Sequence, residues 1–382
     1  MQQTQTKPTP NKYQQHCIDN IFGKYLVLAG PGTGKTFTIV ERIKNMLNKG
    51  IEAEKILCLT FTDAAASEMK KRIEKELNII STDVQIYTYH GFCCDIIETF
   101  QDEFEIPANH KVISDPISKA FIKECIDEIN PTYFRTEKND PYYYINTIKN
   151  RISSIKQNRL TKESFFRNIK ENPDWEPEKI RLEEKIEEKK QKGNTKILSD
   201  TKDLNSINKK INQAYELWQF YELYQDKMNK QRYLDFNDMI NIVLKKFEDN
   251  PSFLSKIANK YEFIMVDEYQ DTNKSQNDIV FNLANSLDSQ NVFVVGDDDQ
   301  IIYRFQGAKL DTIQNFLKNF PDTRIICLKE NMRSTQSILN SSRRVIAQDP
   351  LSLVNNSNFK DFEGNPISKD LTAKKWWNYT KR

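Results

Sequence analysis

The stretch Tyr25-Leu-Val-Leu-Ala-Gly-Pro-Gly-Thr-Gly-Lys-Thr36 decides how this chain folds. Tyr25 to Leu28 is a short apolar run of the kind buried as a strand in a parallel sheet. It breaks into Ala29-Gly-Pro-Gly-Thr-Gly-Lys35-Thr36, and Phe37 to Asn48 then alternates apolar and polar residues at helical spacing. Strand, glycine-rich turn and helix in that order predict a phosphate-binding loop. Gly30, Gly32 and Gly34, with Pro31 and Thr33 between them, let the backbone turn its N–H groups inward at the positive end of a helix. Lys35 would reach the terminal phosphates, and the Thr36 hydroxyl would hold Mg²⁺. Ala29 stands where such loops usually begin with glycine, and it is small enough to serve. A glycine-rich turn without a ligand is the plainer alternative, but the flanking strand and helix argue against it. The chain reads as a binder of a nucleoside triphosphate.

With 382 residues, the chain has room for about two to three domains at ~150 residues each. Its net charge of +2 arises from 56 basic and 54 acidic residues. Such balance neither demands nor excludes nucleic acid, because local stripes matter more than the total. No run approaches the ~18 consecutive apolar residues of a membrane helix. The polar start, Met1 to Asn11, lacks the apolar core of a signal peptide. Six cysteines show no metal-ligand spacing, and Cys58 and Cys327 sit inside apolar runs where a thiol acts as a small hydrophobe. A reducing, cytoplasmic setting is expected, with no membrane partner. Only three histidines are present, which argues against a histidine-based metal site.

Before the loop, Gln14 offers an amide donor and acceptor that could read an adenine edge. After it, Lys55 to Thr60 and Val84 to Tyr87 read as further buried strands. They end in Phe61-Thr62 and Thr88-Tyr-His90, so hydroxyls, an aromatic and a histidine gather where open parallel sheets bind ligands. From about Phe100 to Tyr233 the pattern is helical. It includes Pro141-Tyr-Tyr-Tyr-Ile145 and the basic run Lys149 to Lys156, a mixture that suits single-stranded nucleic acid or simply a solvated face. Glu176 to Lys192 is a charge run ending at Gly193-Asn194, the expected tip of a helical hairpin. Its returning limb carries the packing seam Leu204, Ile207, Ile211, Ala214, Trp218 and Tyr221.

Three more strands are expected. Phe263 to Val266 ends in Asp267-Glu268, an arrangement in which Asp267 can hold Mg²⁺ while Glu268 orients and deprotonates an attacking water. Val292 to Val295 ends in Gly296-Asp-Asp-Asp-Gln300-Ile-Ile-Tyr303-Arg-Phe305. There Gln300 could sense the terminal phosphate, Tyr303 and Phe305 could stack on bases, and the three aspartates alone would read as a turn or a metal cluster. Arg324 to Leu328 leads to Glu330-Asn-Met-Arg333, where an arginine could reach the transferring phosphate.

Taken together, these blocks resemble the superfamily 1 DNA helicases of the UvrD/Rep/PcrA type. The resemblance rests on Asn11-Lys-Tyr-Gln14, Ala29 to Thr36, Thr60-Phe-Thr62, Thr88-Tyr-His90, Val266 to Thr272, Val295 to Tyr303 and Glu330 to Thr335, in the family's order. It implies an α/β fold in which residues 1–100 and 235–322 form a RecA-like phosphate-loop domain with a parallel sheet. Residues 101–234 would be an inserted helical domain, and 323–382 the start of a second RecA-like domain. It further implies ATP and Mg²⁺ as ligands and a single strand or strand junction of DNA as partner. Gln14 would contact adenine, Lys35 and Thr36 the phosphates and metal, Asp267 the metal, Glu268 the water, and Gln300 would couple hydrolysis to DNA. Arg333 would be a finger from the second domain. Phe61, Thr62, His90, Tyr303 and Phe305 would line the DNA track.

Some positions depart from the family pattern. Phe37 stands for its usual arginine, Met332 for the tyrosine that stacks on adenine, and Phe305-Gln306 for a Trp-Arg pair. A thioether at Met332 can still pack on a ring. The family's later blocks, including a second arginine-bearing one, are not found after Ser342. The resemblance thus predicts the ATP-binding half of a 3′-to-5′ helicase, with weak or no unwinding alone and a need for a chain carrying the later motifs. A nucleotide-switched binding module, suggested by the charged hairpin, is the alternative.

Overall fold

The computed structural model describes residues 9–77, 83–104, 106, 110–134, 140–172, 175–191, 198–300, 312–347, 352–355 and 359–374. In chain order, α1 (Lys12–Asp19) leads into β1 (Lys24–Ala29), α2 (Lys35–Asn48), β2 (Ile56–Thr60), α3 (Asp63–Leu77), β3 (Gln85–Thr88) and α4 (Tyr89–Thr99). A helical stretch follows: β4 (Lys111–Val112), α5 (Asp115–Ile129), α6 (Ile145–Gln157), α7 (Lys162–Lys170), α8 (Glu176–Gln191), α9 (Leu198–Lys230), β5 (Tyr233–Leu234) and α10 (Phe236–Asp249). The remainder is α11 (Pro251–Ala258), β6 (Phe263–Val266), α12 (Lys274–Asn285), β7 (Asn291–Gly296), α13 (Thr312–Asn319), β8 (Arg324–Leu328), β9 (Glu330–Asn331), α14 (Gln336–Ile346) and β10 (Thr372–Ala373). Two compact units result, one of Met1–Phe100 with Ile242–Arg382 and one of Gln101–Asn241.

The first unit is built on a six-stranded sheet in the order β3-β2-β6-β7-β1-β8, parallel at every pairing. Its strands are apolar almost throughout because a parallel sheet is covered on both faces. Residues of one face, Tyr25, Val27 and Ala29 on β1 and Phe293 and Val295 on β7, join a core with Ile39, Ile43 and Met46 of α2 and Met69 and Ile73 of α3. Arg42 lies inside this core, on the inward side of α2. It donates to the carbonyls of Cys17, Asn20 (2.8 Å) and Ile21 (2.8 Å), and its guanidinium sits 4.2 Å from the Phe293 ring centre. A buried cation thereby closes the carboxyl end of α1, which would otherwise leave its last carbonyls unpaired.

The sheet moves one expected boundary. Arg324–Leu328 was read as opening a second domain, yet β8 pairs with β1 from Tyr25↔Arg324 to Ala29↔Leu328 and is the edge strand of the first sheet. An apolar edge strand of this kind gains its ladder partners and its cover from the existing sheet. Beyond it, the described strands are only β9 and β10, which pair with each other in parallel.

In the second unit, Phe121, Ile122, Ile148, Ile152, Phe165, Trp218 and Phe220 form a separate core of α5, α6, α7 and α9 residues. The seam residues Ile207 and Trp218 of α9 are buried as expected, while the hairpin tip at Gly193-Asn194 lies outside the described residues. β4 and β5 form a two-residue parallel pair inside a stretch read as wholly helical. The basic run is used internally. Lys149 pairs with Asp115, Arg151 lies 5.4 Å from the Phe134 ring centre, and Lys156 is buried between Asp235 (2.6 Å) and Asp238 (2.8 Å). Helical spacing brought these residues together without showing that acids already faced them.

Candidate active site

The phosphate loop leaves the sheet between two neighbours, since β1 is flanked by β7 and β8. Gly32 (φ 76°) and Gly34 (φ 86°) adopt the left-handed conformation that opens the loop, and Gly34 caps α2 directly before Lys35 and Thr36. Ala29 is buried at the end of β1, Thr33 is buried, and Pro31 is exposed at the tip. The Thr33 hydroxyl donates to the Gly30 carbonyl at 2.7 Å, tightening the turn. Gln14 is fully buried, and its Nε2 donates to the Thr33 carbonyl at 2.9 Å while its Oε1 accepts from the Asn11 N–H at 3.0 Å. The glutamine read as an adenine contact therefore braces the phosphate loop in this structure.

The acids arrive on β6, two strands away. Asp267 continues the ladder by donating its N–H to the Leu59 carbonyl at 3.0 Å, and it is 5% exposed. Burial first, and the neighbouring Glu268 second, push its carboxyl up to about 6. Glu268 itself takes a left-handed backbone (φ 48°), a conformation that costs a non-glycine residue about 1–2 kcal/mol. Its carboxylate meets Lys35 Nζ at 2.8 Å. Asp271, also buried, is pushed up to about 6 by burial and by Glu268, and among the described residues its Oδ1 has no hydrogen-bond partner. Buried carboxyls whose burial outweighs the pull of Lys35 fit the hard-oxygen ligands that Mg²⁺ prefers. Asp267 and Thr36 are the residues that would hold it.

Sequence reading missed the residues that join these parts. Gln270 donates from Nε2 to Glu268 Oε2 at 2.9 Å and accepts at Oε1 from the Asp297 N–H at 3.0 Å. Asp297 Oδ2 in turn accepts from Gln300 Nε2 at 2.6 Å. A continuous path thus runs Lys35–Glu268–Gln270–Asp297–Gln300. Asn331 is the second omission. Its Nδ2 donates to the Pro31 carbonyl, and its Oδ1 accepts from the N–H groups of Arg333 (2.9 Å) and Ser334 (2.7 Å). The Met332 N–H also donates to the Gly32 carbonyl at 2.8 Å. Their signal was only a polar residue inside each quoted block, with no spacing rule to single it out.

This clamp corrects the expected origin of Arg333. The arginine was read as reaching over from a second domain, but its segment follows β8 in the same sheet and is hydrogen-bonded to the loop. A methyl group at Gly32 would lie 2.5 Å from Arg333 Cβ. The Arg333 side chain is exposed and Met332 half-buried.

The proposed DNA residues divide into two sets. β2 and β3 end in register at Thr60↔Thr88, so Phe61 and His90 lie just beyond neighbouring strand ends, both half-buried. Thr62 is exposed, with its hydroxyl accepting from the Ala65 N–H at 3.1 Å at the start of α3. Tyr303 and Phe305 lie outside the described residues. Among the described residues, no helix is long and apolar enough to cross a membrane.

Comparison with known proteins agrees with this geometry. The UvrD/REP helicase N-terminal domain family matches residues 10–321. The ATP-dependent DNA helicase PcrA of Bacillus subtilis (strain 168) is 33% identical over 353 residues, covering 92% of this chain and 40% of that protein. The protein of the same name from Staphylococcus aureus (strain Mu50 / ATCC 700699) is 30% identical over 337 residues, covering 88% and 40%. The chain thus spans 40% of the length of these relatives. A phosphate loop, paired acids on β6 and a glutamine after β7, set along one sheet edge within a match of this extent, identify the chain as a member of the UvrD/Rep helicase family through its N-terminal domain.

Proposed function

We propose that this chain binds ATP with Mg²⁺ and hydrolyses it in response to single-stranded DNA, as the ATP-binding half of a 3′-to-5′ DNA helicase. The observation that carries this reading is the Lys35–Glu268 pair at 2.8 Å, in which Lys35, read as the phosphate-binding cation, meets Glu268, read as the general base. Triphosphate oxygens would compete for Lys35 and draw it from Glu268. The released carboxylate then takes a proton from water as the water oxygen bonds to the terminal phosphorus and the bond to ADP breaks. Mg²⁺, held by Asp267 and Thr36, would supply charge neutralisation to the phosphates. Asn331 and Met332 keep Arg333 beside the loop, where its charge can reach the transferring group.

The sheet order supports coupling to DNA. The end of β6 lies between the β2 and β3 ends, which carry Phe61, Thr62 and His90, and the β7 end, which carries Gln300. A strand stacked on the first set, with Tyr303 and Phe305 completing its track, would act on Glu268 through adjacent strand ends. The relatives carry the name ATP-dependent DNA helicase, and we extend that activity to this chain as part of the proposal. Strand separation is proposed to draw also on the family's later motifs. A cytoplasmic setting suits six free cysteines, five of them buried.

Titrating ATP turnover of the purified chain with a single-stranded oligonucleotide tests the reading. Turnover should rise to a plateau with the single strand. Nucleotide binding with no response of turnover to DNA would instead favour the switched binding module.

A further inference from the structure

Residues 359–374 run as a strap along the nucleotide wall. The Phe362 N–H donates to the Ile325 carbonyl of β8 (2.9 Å), Thr372 N–H to Lys329 (2.8 Å) and Lys374 N–H to Asn331 (2.9 Å). Phe362 also stacks on His16 of α1 at 4.3 Å between ring centres, and Glu363 pairs with Lys12 at 2.6 Å. Leu371 lies so close to the phosphate loop that a methyl group at Gly30 would come within 3.0 Å of its Cδ1. Together with Gly30, Gln300, Asn331 and Arg343, Lys369 and Leu371 of the strap enclose a cavity of about 280 Å³.

Lys369 reaches from this strap into the three aspartates that follow β7. Its side chain is 9% exposed, and its ammonium meets Asp297 at 3.3 Å, Asp299 at 3.2 Å and Asp298 more closely still. Burial acts to lower the lysine pKa, but Asp298, Asp297 and Asp299 together outweigh it and raise it, so the ammonium stays charged. The cluster that reads as a turn or a metal site in sequence is thus partly offset by a lysine 71 positions from Asp298. Asp297 is also the junction of the site. Its carboxylate accepts from Gln300, and its N–H donates to Gln270, which donates to Glu268.

We propose that Lys369 is a positioning residue for ATP hydrolysis, holding Asp297 and, through it, both Gln300 and the Gln270–Glu268 pair. The strap is on this account a working wall of the nucleotide site. Loss of the ammonium leaves three crowded carboxylates with Arg343, 3.7 Å from Asp299, as the cation paired with them among the described residues. Their repulsion would shift Asp297 and slacken the path to Glu268. The loop N–H groups and Lys35 are not on Lys369 itself, so nucleotide binding should change less than the chemical step.

The proposal rests on the hydrolytic reading above, and its test separates the two. Lys369→Met and Lys369→Arg in the full chain should be compared by ATP turnover with single-stranded DNA and by backbone hydrogen–deuterium exchange. In Lys369→Met, kcat should fall by roughly tenfold to a hundredfold, as for other small misplacements of catalytic groups. KM for ATP should stay within about twofold, and exchange should quicken in residues 267–271 and 296–300. Lys369→Arg should recover both signals. Leu371→Ala, which keeps the charge while loosening the strap, should give the same pattern more weakly and serves if Lys369→Met does not fold. Unchanged exchange in both segments, or a loss confined to ATP affinity, would overturn the proposal. If the parent chain shows no turnover at all, the hydrolytic reading fails, and exchange alone still decides whether Lys369 holds the Asp297 junction.

Discussion

Asp267 is held at a disadvantage by the fold that presents it. Its carboxyl is buried beside Glu268 and pushed up to about 6, so the folded protein binds its proton more tightly than the unfolded chain does. That contribution to stability is complete below the unfolded value near 4 and is lost as pH rises through about 6. At pH 7.5 the ionised group therefore destabilises the fold. Asp267→Asn keeps an acceptor for the Glu268 N–H and removes the charge. In Mg²⁺-free and nucleotide-free buffer it should stabilise the protein at pH 7.5 by up to about 3 kcal/mol, from ~2 pKa units at 1.36 kcal/mol each. The gain should vanish near pH 4, and thermal melts at the two pH values decide the matter. Destabilisation at pH 7.5 would show that the carboxylate is better compensated than the geometry indicates. At this scale the positions of Lys35, Asp267 and Glu268 near strand ends were legible, because each follows an apolar run at a short distance along the chain. The bracing contact of Gln14 was not, because an amide can serve a ligand or the backbone, and only the fold shows its Nε2 donating to the Thr33 carbonyl.

At the scale of elements, periodicity reveals a strand but not the sheet that receives it. Arg324 to Leu328 has the bounds expected of it, yet nothing in five apolar residues says whether they start a sheet or complete one. The pairing with β1 does, and it brings Arg333 to the same side as the phosphate loop. Arg42 escaped notice for a related reason. A polar residue in a helical alternation reads as outward-facing, whereas this one turns inward to satisfy the carbonyls ending α1. Lys156 of α6 repeats the lesson in the helical unit, where a residue in a basic run proves to be a buried counter-ion. Removing one member of such a pair leaves a buried charge uncompensated and costs about 3–5 kcal/mol. Lys156→Met should therefore destabilise the helical unit by that order in denaturant unfolding, with Asp235 and Asp238 left facing each other. A change under ~1 kcal/mol would place the pair among weak surface bridges.

At the scale of the whole molecule, the order of strand ends carries the functional argument. Six parallel strands deliver the phosphate loop, the acids, Gln300 and the arginine segment to one edge, and a late strap closes on that edge through Lys369. The family and the sheet were readable because most of the blocks sit at the ends of apolar runs. The strap was not, since it is held by backbone pairing and by ion pairs between residues far apart in the chain. The central claim is that Glu268 removes the proton from the attacking water while Lys35 and the loop bind the nucleotide. Single-turnover hydrolysis of ATP by Glu268→Gln with single-stranded DNA present, set beside the parent chain at saturating ATP, tests it most directly. The account predicts nucleotide affinity at least equal to the parent's and hydrolysis slower by about 10²–10⁴-fold. Hydrolysis at the parent rate, with the nucleotide bound, would contradict it.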